Sequence, residues 1–363
     1  MKLDAVEEQL RCILEGELRA GFGTAAQAFV AVEGQIICDI AVGERIPGSP
    51  VGVDTLFNLH CATKPVVAVA VAAALERAQL APSMRVAQLL DVDHPSPITV
   101  RDLVSHTAGL DEPDAFSCYV KDPADLEIEL NPVSLLDATE VGVPAYSEVA
   151  AWHLLAEVLR TLTGRDAATH LTEELESLRL ADSIWFEAQA TSTSKHASFS
   201  DRIGCYFDTN TGLPLLHDLV ERFWGRSLNI SVGTYASISG LGRWYLALLE
   251  TLNGARLPAM PSSDYLRMWL SQDRGRMFDR KLLRKCSFAG GFMTGLRDHN
   301  FGTAPSTTAF GHSGFLGNSF VLAEPETGTV IGCLRGGIGA DPVQNVNVMR
   351  PLYVAEIYNL LGQ

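Results

Sequence analysis

The sequence of 363 residues has no long uninterrupted apolar segment. Its longest apolar run, Pro65 to Leu75, is about half of the ~20 residues that a helix needs to cross a bilayer. The N-terminal segment carries several acidic side chains and lacks the apolar core of a signal peptide. We therefore expect a cytoplasmic protein that makes no contact with a membrane.

The sequence also lacks a concentration of basic residues. It has 28 lysine and arginine residues against 43 aspartate and glutamate residues, which gives a formal net charge of −15. This charge would repel a polyanion unless a local basic patch existed, and no run of lysines and arginines provides one. Nucleic acid is therefore not an expected partner.

Cysteine pairs with metal-binding spacing are absent as well. The seven cysteines are widely separated, and none forms a CxxC pair or lies at zinc-site spacing from a histidine. Scattered cysteines of this kind are typical of reduced, mostly buried thiols. The sequence therefore indicates neither a metal site nor another cofactor.

The apolar residues that are present suffice for a large core, because they make up 47% of the chain. Strand patterns occur near both ends, and helical patterns dominate from about residue 66 to 285. The main predicted elements are a helix through the first 18 residues, a strand pair around the Glu33-Gly34 turn, a short strand at Thr55–Leu59, a buried helix at Pro65–Glu76, helices at Val149–Leu162, Leu215–Phe223 and Leu241–Leu252, strands at Ser287–Thr294 and Phe310–Leu334, and a last helix from Pro351 to Leu361. Loops are predicted at residues 91–97, 111–132 and 188–199, and a turn at Glu324–Gly328 divides the last strand segment.

Strands at both ends of the chain predict one sheet to which both ends contribute. We expect an α+β fold, an α/β sandwich in which the first and last helices flank an antiparallel sheet. Residues 1–65 and 286–363 would form the sheet domain, and residues 66–285 would form a large all-helical insertion. The active site would lie in the cleft between these two parts.

The segment FNLHCATKPV places Cys61 three residues before Lys64, at the start of a predicted helix. Residues i and i+3 share a helix face, so the lysine can take the proton of a nucleophile or stabilise its anion. The helix N-terminus also favours a negatively charged sulfur, and the thiolate is the nucleophilic form of cysteine. A lone CxxK is common by chance, so this pair carries weight only together with other motifs.

Two further segments carry residues that can take part in catalysis. In VPAYSEVAAW, Tyr146 stands at the start of a predicted helix, and a tyrosine near a lysine can act as general base and acid if its pKa falls. In AFGHSGFLGN, His312, Ser313 and Gly314 stand on a predicted strand, where the glycine would let a substrate approach the backbone closely. Taken singly, Tyr146 is more simply interpreted as structural and His312 as a surface histidine.

Together, in this order and at these separations, the three segments resemble the serine β-lactamase and penicillin-binding-protein family. The resemblance runs from about residue 25 to the C-terminus and also includes ITVRDLVSHTAGL and VGTYASISGLGRWYLALL. The most similar branch contains class C β-lactamases, D-alanyl-D-alanine carboxypeptidases, esterases and acyltransferases of the lovastatin type. The resemblance implies the β-lactamase/transpeptidase-like fold.

The resemblance also implies a role for each motif residue. Cys61 would be the nucleophile, Lys64 its partner, and Tyr146 the base that moves a proton between nucleophile and leaving group. His312 would take the place of the lysine or histidine in the family's third motif. The backbone N–H groups of Cys61 and Phe315 would form an oxyanion hole, in which each donor contributes roughly 3 kcal/mol.

The sequence departs from the family pattern at two positions. Cys61 replaces the nucleophilic serine, and Glu148 replaces the asparagine that usually follows the tyrosine by two residues. In β-lactamases that asparagine helps to hold the side-chain amide of the substrate, and an ionised glutamate cannot donate a hydrogen bond. We expect Glu148, Ser313 and Gly314 to bind the substrate, but the glutamate argues against a β-lactam or an acyl-D-Ala-D-Ala peptide.

The cysteine favours one of three function classes. A thioester acyl-enzyme exchanges with thioesters of coenzyme A or a carrier protein and reacts well with amines, whereas water competes poorly. We therefore predict an acyltransferase of small-molecule, natural-product biosynthesis that moves an acyl group from such a thioester to an amine or alcohol. A hydrolase of esters, thioesters or amides is the alternative, and a non-catalytic binding module is the third possibility.

Overall fold

The computed structural model describes residues 3–110, 112, 128, 130–186, 202–208, 214–215, 230–231, 234–338 and 342–362. Residues 216–223 of a predicted helix and Cys118 lie outside the described residues. The same holds for most of one predicted loop, 111–132, and for all of another, 188–199.

Strands follow the first helix and precede the last one, and shorter strands lie between these two regions. They are β1 (Ala25–Val32), β2 (Gln35–Ile46), β3 (Ser49–Pro50), β4 (Phe57–Asn58), β5 (Ile184–Phe186), β6 (Tyr206–Asp208), β7 (Pro214–Leu215), β8 (Thr234–Ala236), β9 (Met277–Asp279), β10 (Arg284–Ala289), β11 (Phe292–Thr294), β12 (Phe310–Ser313), β13 (Ser319–Glu324), β14 (Thr329–Arg335) and β15 (Gly337–Ile338).

Nine of these strands form one sheet in the order β3-β2-β1-β14-β13-β12-β11-β10-β9. Every neighbouring pair is antiparallel. The two ends of the chain meet in the middle of the sheet, where β1 pairs with β14 and Ala28 lies opposite Cys333. The antiparallel sheet that the sequence predicted from both chain ends is therefore confirmed.

Two turns expected from the sequence join strands of this sheet. Glu33 and Gly34 connect β1 to β2, and their φ angles are 50° and 77°. Positive φ at both residues is what a two-residue hairpin turn of type I′ requires. The turn after Glu324 connects β13 to β14 and ends on Gly328, whose φ is 61°. Both turns confirm the local prediction.

Helices fill much of the chain between the strands and form both of its described ends. They are α1 (Leu3–Arg19), α2 (Lys64–Arg77), α3 (Val86–Leu89), α4 (Val100–Val104), α5 (Pro132–Leu135), α6 (Ala150–Thr163), α7 (Ala167–Ser177), α8 (Ile238–Leu252), α9 (Ser263–Leu270), α10 (Pro342–Gln344) and α11 (Arg350–Leu361), with 3₁₀ turns at His60–Thr63, Leu296–His299 and Phe315–Gly317 and a π turn at Asn345–Met349. Within the part of the chain that the structure describes, no helix has the length and apolar character needed to span a bilayer.

Helices cover both faces of the large sheet. On one face, α1 and α11 share a core with Val30 and Phe320. Successive side chains of a strand point to opposite faces, so Phe29 and Val321 belong to the second core, together with α2, α6 and α8. The prediction that the first and last helices flank the sheet is confirmed.

Helix α2 is buried from Lys64 to Leu75. A helix that is apolar on nearly every face is expected to lie inside the protein. Its small side chains allow close packing, since a Cβ atom at Gly291 would lie only 2.4 Å from Cβ of Ala68. Enclosed in this way, α2 is a rigid support for the residues at its N-terminus.

The middle of the chain is mostly helical but, in contrast to the prediction, not wholly so. Strands β5 and β8 pair there, and β8 also pairs with β4, the strand just before Cys61. Strand β9 and the start of β10 precede residue 286 and belong to the large sheet. All three residues of β5 and of β8 are buried, so these strands lack the alternating pattern that reveals a strand. The division into domains at residues 65 and 286 stays a prediction.

Candidate active site

Cys61 lies in the 3₁₀ turn His60–Thr63, which leads directly into α2. The preceding residue, His60, has a φ of 48°, a left-handed conformation that is uncommon outside glycine. Its N–H group donates to Oδ1 of Asn58 at 2.7 Å, and its carbonyl accepts from the hydroxyl of Thr63 at 2.9 Å. Local contacts therefore hold the turn that presents the half-buried thiol.

Lys64 is completely buried, and the segment just before α6 encloses its ammonium group. Nζ donates to the carbonyl of Glu148 at 2.8 Å and to that of Ser147 at 3.3 Å. It also lies 4.8 Å from the ring centroid of Tyr146 and 5.1 Å from that of Trp152, within cation–π range. Carbonyl oxygens and ring faces both stabilise a cation, so the site contains a fixed positive charge.

Tyr146 is buried beside Lys64, and its phenol interacts with the thiol of Cys61. Burial, followed by the charge and hydrogen bonding of Cys61, raises the pKa of Tyr146 well above its ordinary value of 10.0. The pKa of Tyr146 is thus not lowered, contrary to the condition for its predicted role as general base, because burial disfavours the charged phenolate. Tyr146 is a protonated phenol at neutral pH that can donate to the sulfur. The structure thus brings Cys61, Lys64 and Tyr146 together.

Three residues to which the sequence motifs assigned no role hold Tyr146 in place. Asp279, fully buried, accepts from the N–H of Tyr146 at 3.1 Å and pairs with Arg274 at 2.7 Å. The ring of His106 packs on that of Tyr146 with centroids 4.5 Å apart, and its Nδ1 accepts from the N–H of Ser147 at 3.0 Å. Burial lowers the pKa of His106 well below 6.5, which agrees with a neutral acceptor. His106 belongs to the SHTAGL segment, whereas Asp279 and Arg274 stand in no motif.

His312 is fully buried on β12, with its ring centroid 6.3 Å from that of Tyr146. Its Nδ1 lies 2.9 Å from the carbonyl oxygen of Ser313, so this nitrogen carries the proton. Burial, followed by the charge of Lys64, lowers the pKa of His312 well below 6.5. His312 is therefore a neutral residue of the site interior and not a surface histidine. It cannot supply the positive charge that a lysine would bring to the same position.

Gly314 follows β12 and lies against the segment that carries Cys61. A Cβ atom at this position would lie 2.2 Å from Oγ of Ser319 and 2.4 Å from the carbonyl oxygen of Leu59. The sequence suggested that this glycine admits a substrate, but the group that approaches it here is the backbone just before the cysteine. The contact places the backbone of Phe315 next to the nucleophile turn, as an oxyanion hole between the two segments requires.

The other predicted substrate-binding residues lie around this site. Glu148 and Ser313 are half-buried. The carbonyl of Glu148, besides binding the lysine, accepts from the hydroxyl of Ser231 at 2.7 Å. The exposed side chain of Phe315 packs on the ring of His60 with centroids 5.5 Å apart. The contacts of these residues with a substrate stay predictions.

The arrangement suits covalent chemistry at a carbonyl carbon. A thiol beside a phenolic proton donor and a fixed cation has the partners that an activated nucleophile needs. Across the described ranges, no group of three or more His, Cys, Asp and Glu side chains is placed to hold a metal ion.

Comparison with known proteins relates this chain to a family. The sequence model of the family described as Beta-lactamase matches residues 17–334. Esterase EstB of Burkholderia gladioli is 37% identical over 120 residues, which amount to 30% of this chain and 28% of the esterase. That match spans less than a third of the length of the esterase.

Solved structures with the same fold cover nearly the whole of this chain. A penicillin-binding-protein homologue from Caulobacter crescentus is 24% identical with a TM-score of 0.77, covering 99% of this chain and 98% of the homologue. EstCE1, described as a hydrolase with promiscuous acyltransferase activity, is 17% identical with a TM-score of 0.73, covering 98% of each chain. Because the family model spans most of the sequence and the fold agrees with it, this chain belongs to the beta-lactamase family.

Proposed function

We propose that the protein is an acyltransferase that carries the acyl group as a thioester on Cys61. The observation behind this proposal is the buried ammonium group of Lys64, held against the Tyr146 ring, together with the interaction of that phenol with the Cys61 thiol. A sulfur in this position has a phenolic proton donor, lies just before the N-terminus of α2, and shares the site with the cation beside that phenol.

In the first half-reaction, the Cys61 thiolate attacks the carbonyl carbon of the donor, and a carbon–sulfur bond forms. The N–H groups of Cys61 and Phe315 would stabilise the oxyanion of the intermediate. When the intermediate collapses, the bond to the leaving group breaks and Tyr146 transfers its proton to that group. The phenolate that remains lies beside Lys64, whose charge stabilises it.

In the second half-reaction, the Tyr146 phenolate takes the proton of the acceptor as its nitrogen or oxygen attacks the thioester. The new acyl bond forms, the carbon–sulfur bond breaks, and Cys61 leaves as the thiolate. Both residues are then in their starting states, so one acyl group and one proton move in each cycle. Tyr146 acts first as an acid and then as a base; its raised pKa keeps the phenol protonated before the first step and makes the phenolate a strong base in the second.

The reactivity of a thioester favours transfer over hydrolysis, because amines and thiols attack it readily and water attacks it slowly. The expected donor is a thioester of coenzyme A or of an acyl carrier protein. The expected acceptor is an amine or alcohol of a small molecule, as in natural-product biosynthesis. The acyltransferase activity named in the description of EstCE1 supports transfer by a protein of this fold.

Hydrolysis of an ester, thioester or amide is the second candidate, and the comparisons favour it. EstB is an esterase and EstCE1 a hydrolase. Hydrolysis would use the same acyl-enzyme, with water in place of the acceptor. The two functions therefore differ only in the molecule that attacks the thioester.

Intact-mass spectrometry tests the proposal. The wild-type protein, Cys61→Ser and Cys61→Ala are each incubated with a panel of acyl-coenzyme A thioesters and activated esters. We expect an acyl adduct on the wild-type protein and none on Cys61→Ala. Addition of an amine or alcohol should then convert the adduct into an amide or ester faster than buffer alone releases the acid.

The outcomes separate the candidates. Cys61→Ser should form a less reactive oxygen ester, so we expect a slower release and a larger share of hydrolysis. An adduct on the wild-type protein that only water can release would establish the hydrolase instead. An adduct that persists in Cys61→Ala would refute the role of the cysteine.

A further inference from the structure

The start of α6 is held by side chains from outside the helix. The Glu112 carboxylate accepts hydrogen bonds from the N–H groups of Val149 and Ala150, the latter at 3.4 Å. The hydroxyl of Ser147 accepts from the N–H of Ala151 at 2.9 Å. The first N–H groups of a helix have no partner within the helix, so these contacts satisfy three of them. A carboxylate also interacts favourably with the positive end of the helix dipole.

The residues just before this helix form the catalytic side of the site. Tyr146 lies three residues before Val149, and the carbonyls of Ser147 and Glu148 between them bind the Lys64 ammonium. Glu112 therefore fixes the C-terminal end of the short segment that positions both the phenol and the cation. Asp279 fixes the other end through the N–H of Tyr146.

Glu112 also contributes charge to the site. The groups that face its carboxylate are the Ser147 hydroxyl, the Lys64 ammonium from α2 and the Glu148 carboxylate. Burial raises the pKa of Glu112, whereas the hydrogen bonds and Lys64 act in the opposite direction. The charge of Glu112 also acts on the phenol, since it is among the causes that raise the pKa of Tyr146.

We propose that Glu112 is a positioning residue of the acyl-transfer site, which fastens the Tyr146–Glu148 segment and balances the charge of Lys64. The assignment rests on the proposed function of Cys61 and Tyr146. Glu112 touches neither a reacting atom nor the sulfur in this arrangement. It acts through the backbone of the segment and through its charge.

Substitution of Glu112 separates the two effects. Glu112→Gln keeps an oxygen acceptor but removes the charge, and Glu112→Asp keeps the charge on a shorter side chain. We expect acylation of Cys61 to slow about 10- to 100-fold in both, because a small displacement of catalytic groups costs rate on this scale. Because the Glu112 charge acts on Tyr146, which interacts with Cys61, the pH–rate profile of Cys61 alkylation by iodoacetamide should differ from that of the wild-type protein in Glu112→Gln and match it in Glu112→Asp.

Asp166 offers a matched control, because it caps α7 away from the site and accepts from the N–H of Thr169 at 2.9 Å. Asp166→Asn should change neither acylation nor the alkylation profile. If both Glu112 variants matched the wild-type protein in both measurements, the role of Glu112 would be wrong. Alkylation needs no substrate, so it still reports on Glu112 if the wild-type protein forms no acyl-enzyme, a result that would refute the proposed function alone.

Discussion

The ammonium nitrogen of Lys64 lies 4.8 Å from the centre of the Tyr146 ring, and the segment that carries the tyrosine supplies its two carbonyl acceptors. The cation and the phenol are thus held as one unit. In the proposed cycle, the phenolate formed after the first half-reaction has its counter-charge already in place.

Removal of this cation should impair the first half-reaction. We expect Lys64→Met, which keeps most of the side-chain volume, to slow acylation of Cys61 by about 100- to 1,000-fold, the scale seen when one preorganised charge-stabilising group is lost. Rapid-quench intact-mass measurements give this rate. Lys285→Met is the control, because Lys285 is exposed on β10, and its rate should equal that of the wild-type protein. Equal rates for both variants would show that Lys64 is only structural.

Cys61 should be the most reactive thiol of the interior. Cys38 and Cys333 are buried, and burial raises their pKa values to about 12 and about 11, so at neutral pH they are protonated and inaccessible. Among the cysteines that the structure describes, Cys12 is exposed and is the main competitor for a reagent. In a Cys12→Ser background, we expect one equivalent of iodoacetamide at pH 7 to label Cys61 first and to abolish turnover. Peptide mapping that finds another cysteine labelled first would contradict this order.

The glycine after β12 should tolerate no side chain. Gly314→Ala places a methyl group against the Leu59 carbonyl and the Ser319 hydroxyl, so we expect a loss of about 1–3 kcal/mol in the free energy of unfolding together with a loss of acylation. Gly16→Ala in α1 is the matched control. Its Cβ atom would have its nearest neighbour at 4.0 Å, and we expect it to stabilise the protein by about 0.5–1 kcal/mol. Urea denaturation measures both changes, and an unaffected Gly314→Ala would contradict the packing described.

Stability should fall in mild acid because histidines are buried in the neutral form. Burial lowers the pKa of His60 to about 3 and that of His299 to about 4. In the unfolded chain these histidines take up protons near pH 6.5. Below that pH the unfolded state binds more protons than the folded state, and it is therefore stabilised relative to the folded state. For each histidine, the free energy of unfolding should fall by up to about 1.4 kcal/mol per pH unit until the pH reaches the folded-state pKa of that histidine.

Urea denaturation between pH 7 and pH 5 measures this slope. His299→Gln should reduce it by the contribution of one group, since an amide can still donate to the Ser287 carbonyl that His299 contacts at 2.8 Å. If the variant kept the full slope, protonation of His299 would not be a cause of the acid sensitivity.

The sequence by itself determined the features that depend on neighbouring residues. The apolar run from Pro65 to Leu75 marked a buried helix, and Glu33-Gly34 marked a hairpin turn, since helix periodicity and turn conformation are local properties. The three motifs that surround Cys61, Tyr146 and His312 indicated the family and its fold, as the family match confirms.

Only the tertiary structure decided which groups meet in the site. The acceptors of Lys64 come from residues more than 80 positions away, and Asp279 binds the Tyr146 backbone across 133 positions. Glu112 and Asp279 look like ordinary acidic residues in the sequence because nothing in their neighbours indicates which backbone N–H groups they will bind. The neutral state of His312 likewise follows from burial, which depends on how the strands and helices pack around it and not on the residues beside it.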